Sequence, residues 1–139
     1  MNEEIPRERL EQYFARYGWS CDAVDERTLR TGFRGKNSNF TALVRSTGHW
    51  VIFSINPYLR PPESGWGVVT LRAMASANLS AHLVKFGLDG DDDAFLTVEL
   101  PSEGFSYSQF EEAIGALSNA ADNFLVPMLQ AQAVDVRNG

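Results

Sequence analysis

The stretch NLSAHLVKFGLDGDDDAFLTVELPSEGFSYSQFEEAIGALSNAADNF, residues 78–124, decides the fold. It opens on an apolar segment, Ala81–Leu88, that runs into the acidic turn Asp89–Asp93. Ala94, Leu96, Val98 and Leu100 then alternate with Phe95, Thr97 and Glu99, the period of two that a strand imposes on its side chains. Two such segments around a polar turn read as paired strands. Pro101 ends the second, because proline has no N–H to give a ladder. Ser106 and Ser108 stand three residues before Gln109 and Glu111, the spacing of a capping box. Behind them Phe110, Ala113, Ile114, Leu117, Ala121, Phe124, Leu125 and Met128 repeat with helical period.

Working outward, residues 6–17 read as a first helix, with Leu10, Tyr13, Phe14 and Tyr17 in one apolar stripe, Pro6 at its start and Gly18 at its stop. Three strands follow: one around Leu29, Thr31 and Phe33, then Phe40–Arg45, then His49–Ile55. Short turns between them imply an antiparallel meander. The segment 56–67, NPYLRPPESGWG, carries three prolines and reads as a crossover, since proline interrupts ladders. Helical spacing returns over Gly67–Leu79. Pro127 is expected to bend or end the last helix, and residues 131–139 read as a loose tail. The expected fold is α+β, in the order α-β-β-β-α-β-β-α, with helices packed on an antiparallel sheet. One domain is expected over residues 1–130.

A chain of 139 residues is long enough to bury a core without staples. Its single cysteine, Cys21, excludes an internal disulfide. No charged segment leads into an apolar one at the start, and no apolar run reaches the ~20 residues of a membrane span. Cytoplasmic residence is therefore expected, with no membrane partner. Net charge is −6, but residues 1–72 hold ten Lys/Arg and eight Asp/Glu, while residues 73–139 hold two and ten. Such an acidic chain is not expected to bind nucleic acid, which demands a basic surface.

The chemistry-bearing residues converge on nothing. Asp89, Asp91 and Asp93 take the first, third and fifth places of a calcium loop. However, Ala94 stands where that loop needs glycine, and Leu100 stands where it needs a bidentate carboxylate. His49 and His82 lack ligand spacing to each other or to Cys21. There is no glycine-rich phosphate cradle. No catalytic, metal or cofactor site is expected, and the chain reads as no enzyme.

The stretch from the second helix onward resembles the YbjN family and the class I type III secretion chaperone fold. The likeness rests on a helix ending in Asn78-Leu79, the strand HLVKFGLD, the turn Asp89–Asp93, the strand LTVELPSEGF and the helix FEEAIGALSNAADNF. Element order extends it over roughly residues 5–130. This resemblance implies a two-layer α+β domain, usually a homodimer, that binds protein rather than transforming a substrate. A protein client or regulatory partner is then expected.

For a dimer, the residues of choice are Leu71, Met74, Ala75 and Leu79 on the second helix. For a partner, they are Trp50, Phe53, Tyr58 and Trp66, because Trp and Tyr are enriched at hot spots. The alternative is a small-ligand or enzymatic pocket roofed by the proline-rich segment 56–67. That reading requires convergent polar groups, such as Asp22, Asp25 and His49, in an apolar cleft.

Overall fold

A computed structural model describes residues 4–138. Helix α1 (Arg7–Tyr17) is followed by strands β1 (Asp22–Asp25), β2 (Thr28–Arg34), β3 (Asn39–Ser46) and β4 (Trp50–Leu59). Helix α2 (Val68–Ser80), strands β5 (Lys85–Leu88) and β6 (Ala94–Pro101), and helix α3 (Tyr107–Asn138) complete the chain. The six strands form one antiparallel sheet in the order β1-β2-β3-β4-β6-β5.

Alternation decides which face is covered. Leu29 and Thr31 of β2, Phe40, Ala42 and Val44 of β3, Val51, Phe53 and Ile55 of β4, and Leu96 and Val98 of β6 are buried. Their neighbours Arg30, Thr41, Arg45, Trp50 and Glu99 point the other way and are exposed. Helices α1 and α3 lie on the buried side, where Phe110 meets Phe14 edge-on at 4.9 Å between ring centres and Phe53 at 5.7 Å. Such ring pairs add to the burial term that drives the core together. Helix α2 packs beside α3 and over β5.

Local signals act as expected at several ends. Gly18 adopts φ +94°, the left-handed stop that glycine allows, and its N–H donates to Phe14 O. At the start of α3, Ser106 N donates to Gln109 Oε1 at 2.9 Å and Gln109 N to Ser106 Oγ at 3.4 Å, a reciprocal box.

Besides β5, which begins at Lys85 and not at Ala81, three features differ from expectation. The first is strand β1, which makes the opening run four strands where three were expected. Its four residues, DAVD, are all exposed, so no alternation marks them, and pairing with β2 alone makes them a strand. The second is that β4 continues to Leu59 through Asn56 and Pro57. Its register against β6 shifts between Ile55 and Leu59, which accommodates the proline at an irregularity. The third is α3, which passes through Pro127 and runs to Asn138, so residues 131–138 are helix and not a loose tail. Proline removes only its own N–H bond, to the carbonyl of Asn123, and Asn123 and Pro127 are both exposed to water. Meanwhile the buried stripe continues past it through Met128 and Ala131.

Candidate protein-binding surfaces

Helix α2 is apolar on two sides. Thr70, Met74 and Ala77 are buried inward, Met74 at 5% exposure. Val68, Leu71, Ala75 and Leu79, spaced i, i+3, i+7 and i+11, lie outside, with Leu79 at 90% exposure. A surface helix ordinarily turns a polar side to water. Of the four residues chosen for a dimer, three therefore share the outer face. Met74 belongs to the core of its own chain.

The ends of α2 are held from a distance. Asp135 in the penultimate turn of α3 accepts Val69 N at 3.0 Å, Thr70 N at 2.9 Å and Thr70 Oγ1 at 2.6 Å. This carboxylate serves as the N-terminal cap that α2 lacks locally, since Gly67 has no side chain to give. The Thr70 hydroxyl holds its carboxyl below the usual carboxylate range. At the other end, Asn78 Oδ1 accepts Phe86 N at 2.6 Å and Asn78 Nδ2 donates to Phe86 O at 3.1 Å. Phe86 lies in β5, the last strand of the sheet, so the amide of Asn78 occupies backbone groups that a further strand would use.

The residues chosen for partner binding are spread apart. Trp50 is 45% exposed on the uncovered face of the sheet. Phe53 is fully buried, as part of the core. Tyr58 is half-buried; its hydroxyl donates to Ala121 O at 2.6 Å, and burial pushes its pKa up. Trp66 is half-buried and donates Nε1–H to Asp92 O at 2.8 Å, fastening the proline-rich segment to the acidic turn. Asp135 was invisible as a partner in a segment read as tail. Asn78 was visible only as the end of a helix.

Polar groups do not gather as the small-ligand reading requires. Asp22 pairs with Arg30 at 2.8 Å. Asp25 lies in an open depression with Glu26, Arg27 and Arg45, while His49 lines a separate cleft. A cleft of 630 Å³ lies between the link after α2 and the flank of α3, lined by Ala81, His82, Glu111, Gly115 and Asn119 among others. No residue of 56–67 lines it, whereas Asn56, Pro57 and Tyr58 of that segment line a separate cleft of 340 Å³. In the acidic turn, Asp89 Oδ1 accepts Asp91 N and Asp93 N, and its Oδ2 accepts Asn56 Nδ2. The bond from Asn56 is the main cause of its lowered pKa. Among the described residues, no group of three or more His, Cys, Asp or Glu is placed to hold a metal ion, and no helix is long and apolar enough to cross a membrane.

Residues 6–129 match YbjN, a family described as "Putative bacterial sensory transduction regulator". The chain belongs to the YbjN family. A search of curated protein sequences gives no match. Solved structures of type III secretion chaperones share the fold of this YbjN chain. SpcU, from the heterodimeric ExoU–SpcU complex of the Pseudomonas aeruginosa type III secretion system, is 17% identical with a TM-score of 0.63. The match covers 86% of this chain and 96% of that one. SchA, from the HopA1–SchA chaperone–effector complex, is 13% identical with a TM-score of 0.59, covering 85% and 91%. ExsC, from the ExsC–ExsE complex, is 16% identical with a TM-score of 0.56, covering 83% and 86%. At these identities the likeness is one of fold, and this YbjN-family chain is an α+β domain folded like those chaperones.

Proposed function

We propose that this chain is a non-enzymatic protein-binding module of the cytoplasm that works as a homodimer and holds or regulates a protein partner. The observation that carries this reading is the outer face of α2, where Val68, Leu71, Ala75 and Leu79 stand uncovered on a helix whose other side is already in the core. Apolar surface aligned in this way is favourable to bury, and a second copy brings the same face to a two-fold axis. A stable contact of this kind buries about 1,200–2,000 Å² in total, so α2 needs help from neighbouring surface. Exposed Leu83, just beyond α2, can contribute. The secretion chaperones of like fold are each found in complex with another protein, which supports the partner-holding half of the reading.

Sedimentation equilibrium of the purified chain tests the dimer. A dimer at micromolar concentration that dissociates on Leu79→Glu is expected. A monomer throughout would sink the proposal.

A further inference from the structure

Two reversing turns meet at one end of the sheet. Between β3 and β4, Thr47 Oγ1 accepts Trp50 N at 2.9 Å and His49 N at 3.4 Å. Between β6 and α3, Phe105 N donates to Ser102 O at 3.1 Å. The turns are joined to each other, because Ser102 N donates to His49 O at 2.8 Å and Trp50 sits opposite Pro101 in register. They enclose a cleft of 170 Å³ lined by Gly48, His49, Trp50, Pro101, Ser102 and Glu103. Backbone hydrogen bonds hold both walls, so the cleft is formed before anything enters it.

Its lining is aromatic and acidic, with the His49 imidazole also part of it. Trp50 offers an indole that is 45% exposed, and Glu103 is an exposed carboxylate. No lysine or arginine lines the cleft. Ser102 is 2% exposed, and among the described residues its hydroxyl is the buried side-chain polar atom without a hydrogen-bond partner. An aromatic face beside a carboxylate attracts a cation.

We infer that this cleft takes a basic side chain of a polypeptide partner, arginine before lysine, because a planar guanidinium both stacks on an indole and engages a carboxylate. This rests on the protein-binding reading and names what the partner brings to this end of the sheet.

The test titrates N-acetyl-arginine N-methylamide into the full chain. It follows the Trp50 indole N–H and the Ser102 and Glu103 amides by NMR. A saturable shift confined to these groups is expected, weakened about three- to tenfold in Glu103→Gln and in Trp50→Ala, the scale of one cation–π or ionic contact. The citrulline analogue, equal in shape and uncharged, should shift nothing. Equal binding of citrulline, shifts that never saturate, or unchanged affinity in both variants would overturn the assignment. If Trp50→Ala fails to fold, Glu103→Gln and the citrulline control still decide. A chain that binds the capped arginine yet stays monomeric and partnerless sinks the protein-binding reading and spares the cleft. A dimer indifferent to arginine does the reverse.

Discussion

Asp135 and Thr70 lie 65 residues apart in sequence, and one carboxylate oxygen of Asp135 accepts both the backbone N–H and the hydroxyl of Thr70. The last turns of α3 thus hold the first turn of α2.

That bond sets a pH dependence. The carboxyl of Asp135 is held below its ordinary value by the Thr70 hydroxyl. A depressed folded value means that its stabilisation is fully present above the unfolded value, ~3.9, and is lost as pH falls through the lower folded one. Asp135→Asn should lower the melting temperature at neutral pH, and its difference from the natural chain should shrink in acid below that point. Thermal melts by circular dichroism at stepped pH check this. A gap that persists unchanged at low pH would count against it.

Gly67 gives an independent check. A Cβ placed there would fall on the Asp135 carboxylate. The backbone of Gly67, at φ −87° and ψ 165°, is open to any residue, so alanine alone should stabilise by about 0.4–1 kcal/mol through the unfolded chain. Gly67→Ala is expected to destabilise the natural chain and to stabilise the Asp135→Gly background. Additive effects in a double-mutant cycle would show that the two positions are not coupled.

The two faces of α2 should separate stability from association. Met74→Ala, in the core, should cost about 2–5 kcal/mol in urea unfolding. Leu79→Glu, on the outer face, should change monomer stability by no more than about 0.5 kcal/mol while weakening self-association. Equal destabilisation by both would show that the outer face is part of the core.

Phe53 and Trp50 divide in the same way. Phe53→Ala should cost about 3–5 kcal/mol, so any binding it abolishes is lost with the fold. Trp50→Ala should leave the urea midpoint near that of the natural chain. A large shift of that midpoint would show that Trp50 holds the two turns together.

What was legible follows from where the physics is local. Alternation in Phe40–Arg45 and Ala94–Leu100, the box at Ser106 and Gln109, and the stop at Gly18 are short-range signals, and each lies where it was read. Strand β1 was not legible, because Asp22–Asp25 has no buried side and owes its form to β2. The helix beyond Pro127 was missed because what its residues meet, the core at Ala131 and the first turn of α2 at Asp135, is tertiary. At the candidate surfaces, Leu71, Ala75 and Leu79 could be grouped from helical spacing, but Met74 could not be told apart from them on an apolar helix. Phe53 and Trp50 needed the sheet's covered side to be known before one could be placed in the core and the other in water.

Asn78 should matter beyond its size. Asn78→Ala removes two hydrogen bonds to Phe86 and should cost about 1–3 kcal/mol. It should also speed hydrogen exchange at the Phe86 amide and raise self-association seen by light scattering. An unchanged exchange rate would show that the amide is protected by something else.

The capped margin has a wider meaning for assembly. A sheet that can accept a new strand on one side only is a chain terminator rather than a monomer for polymerisation. Copies whose sheets met through β1 would carry Phe86 already occupied at both outer margins, so the sheet would not extend past the pair.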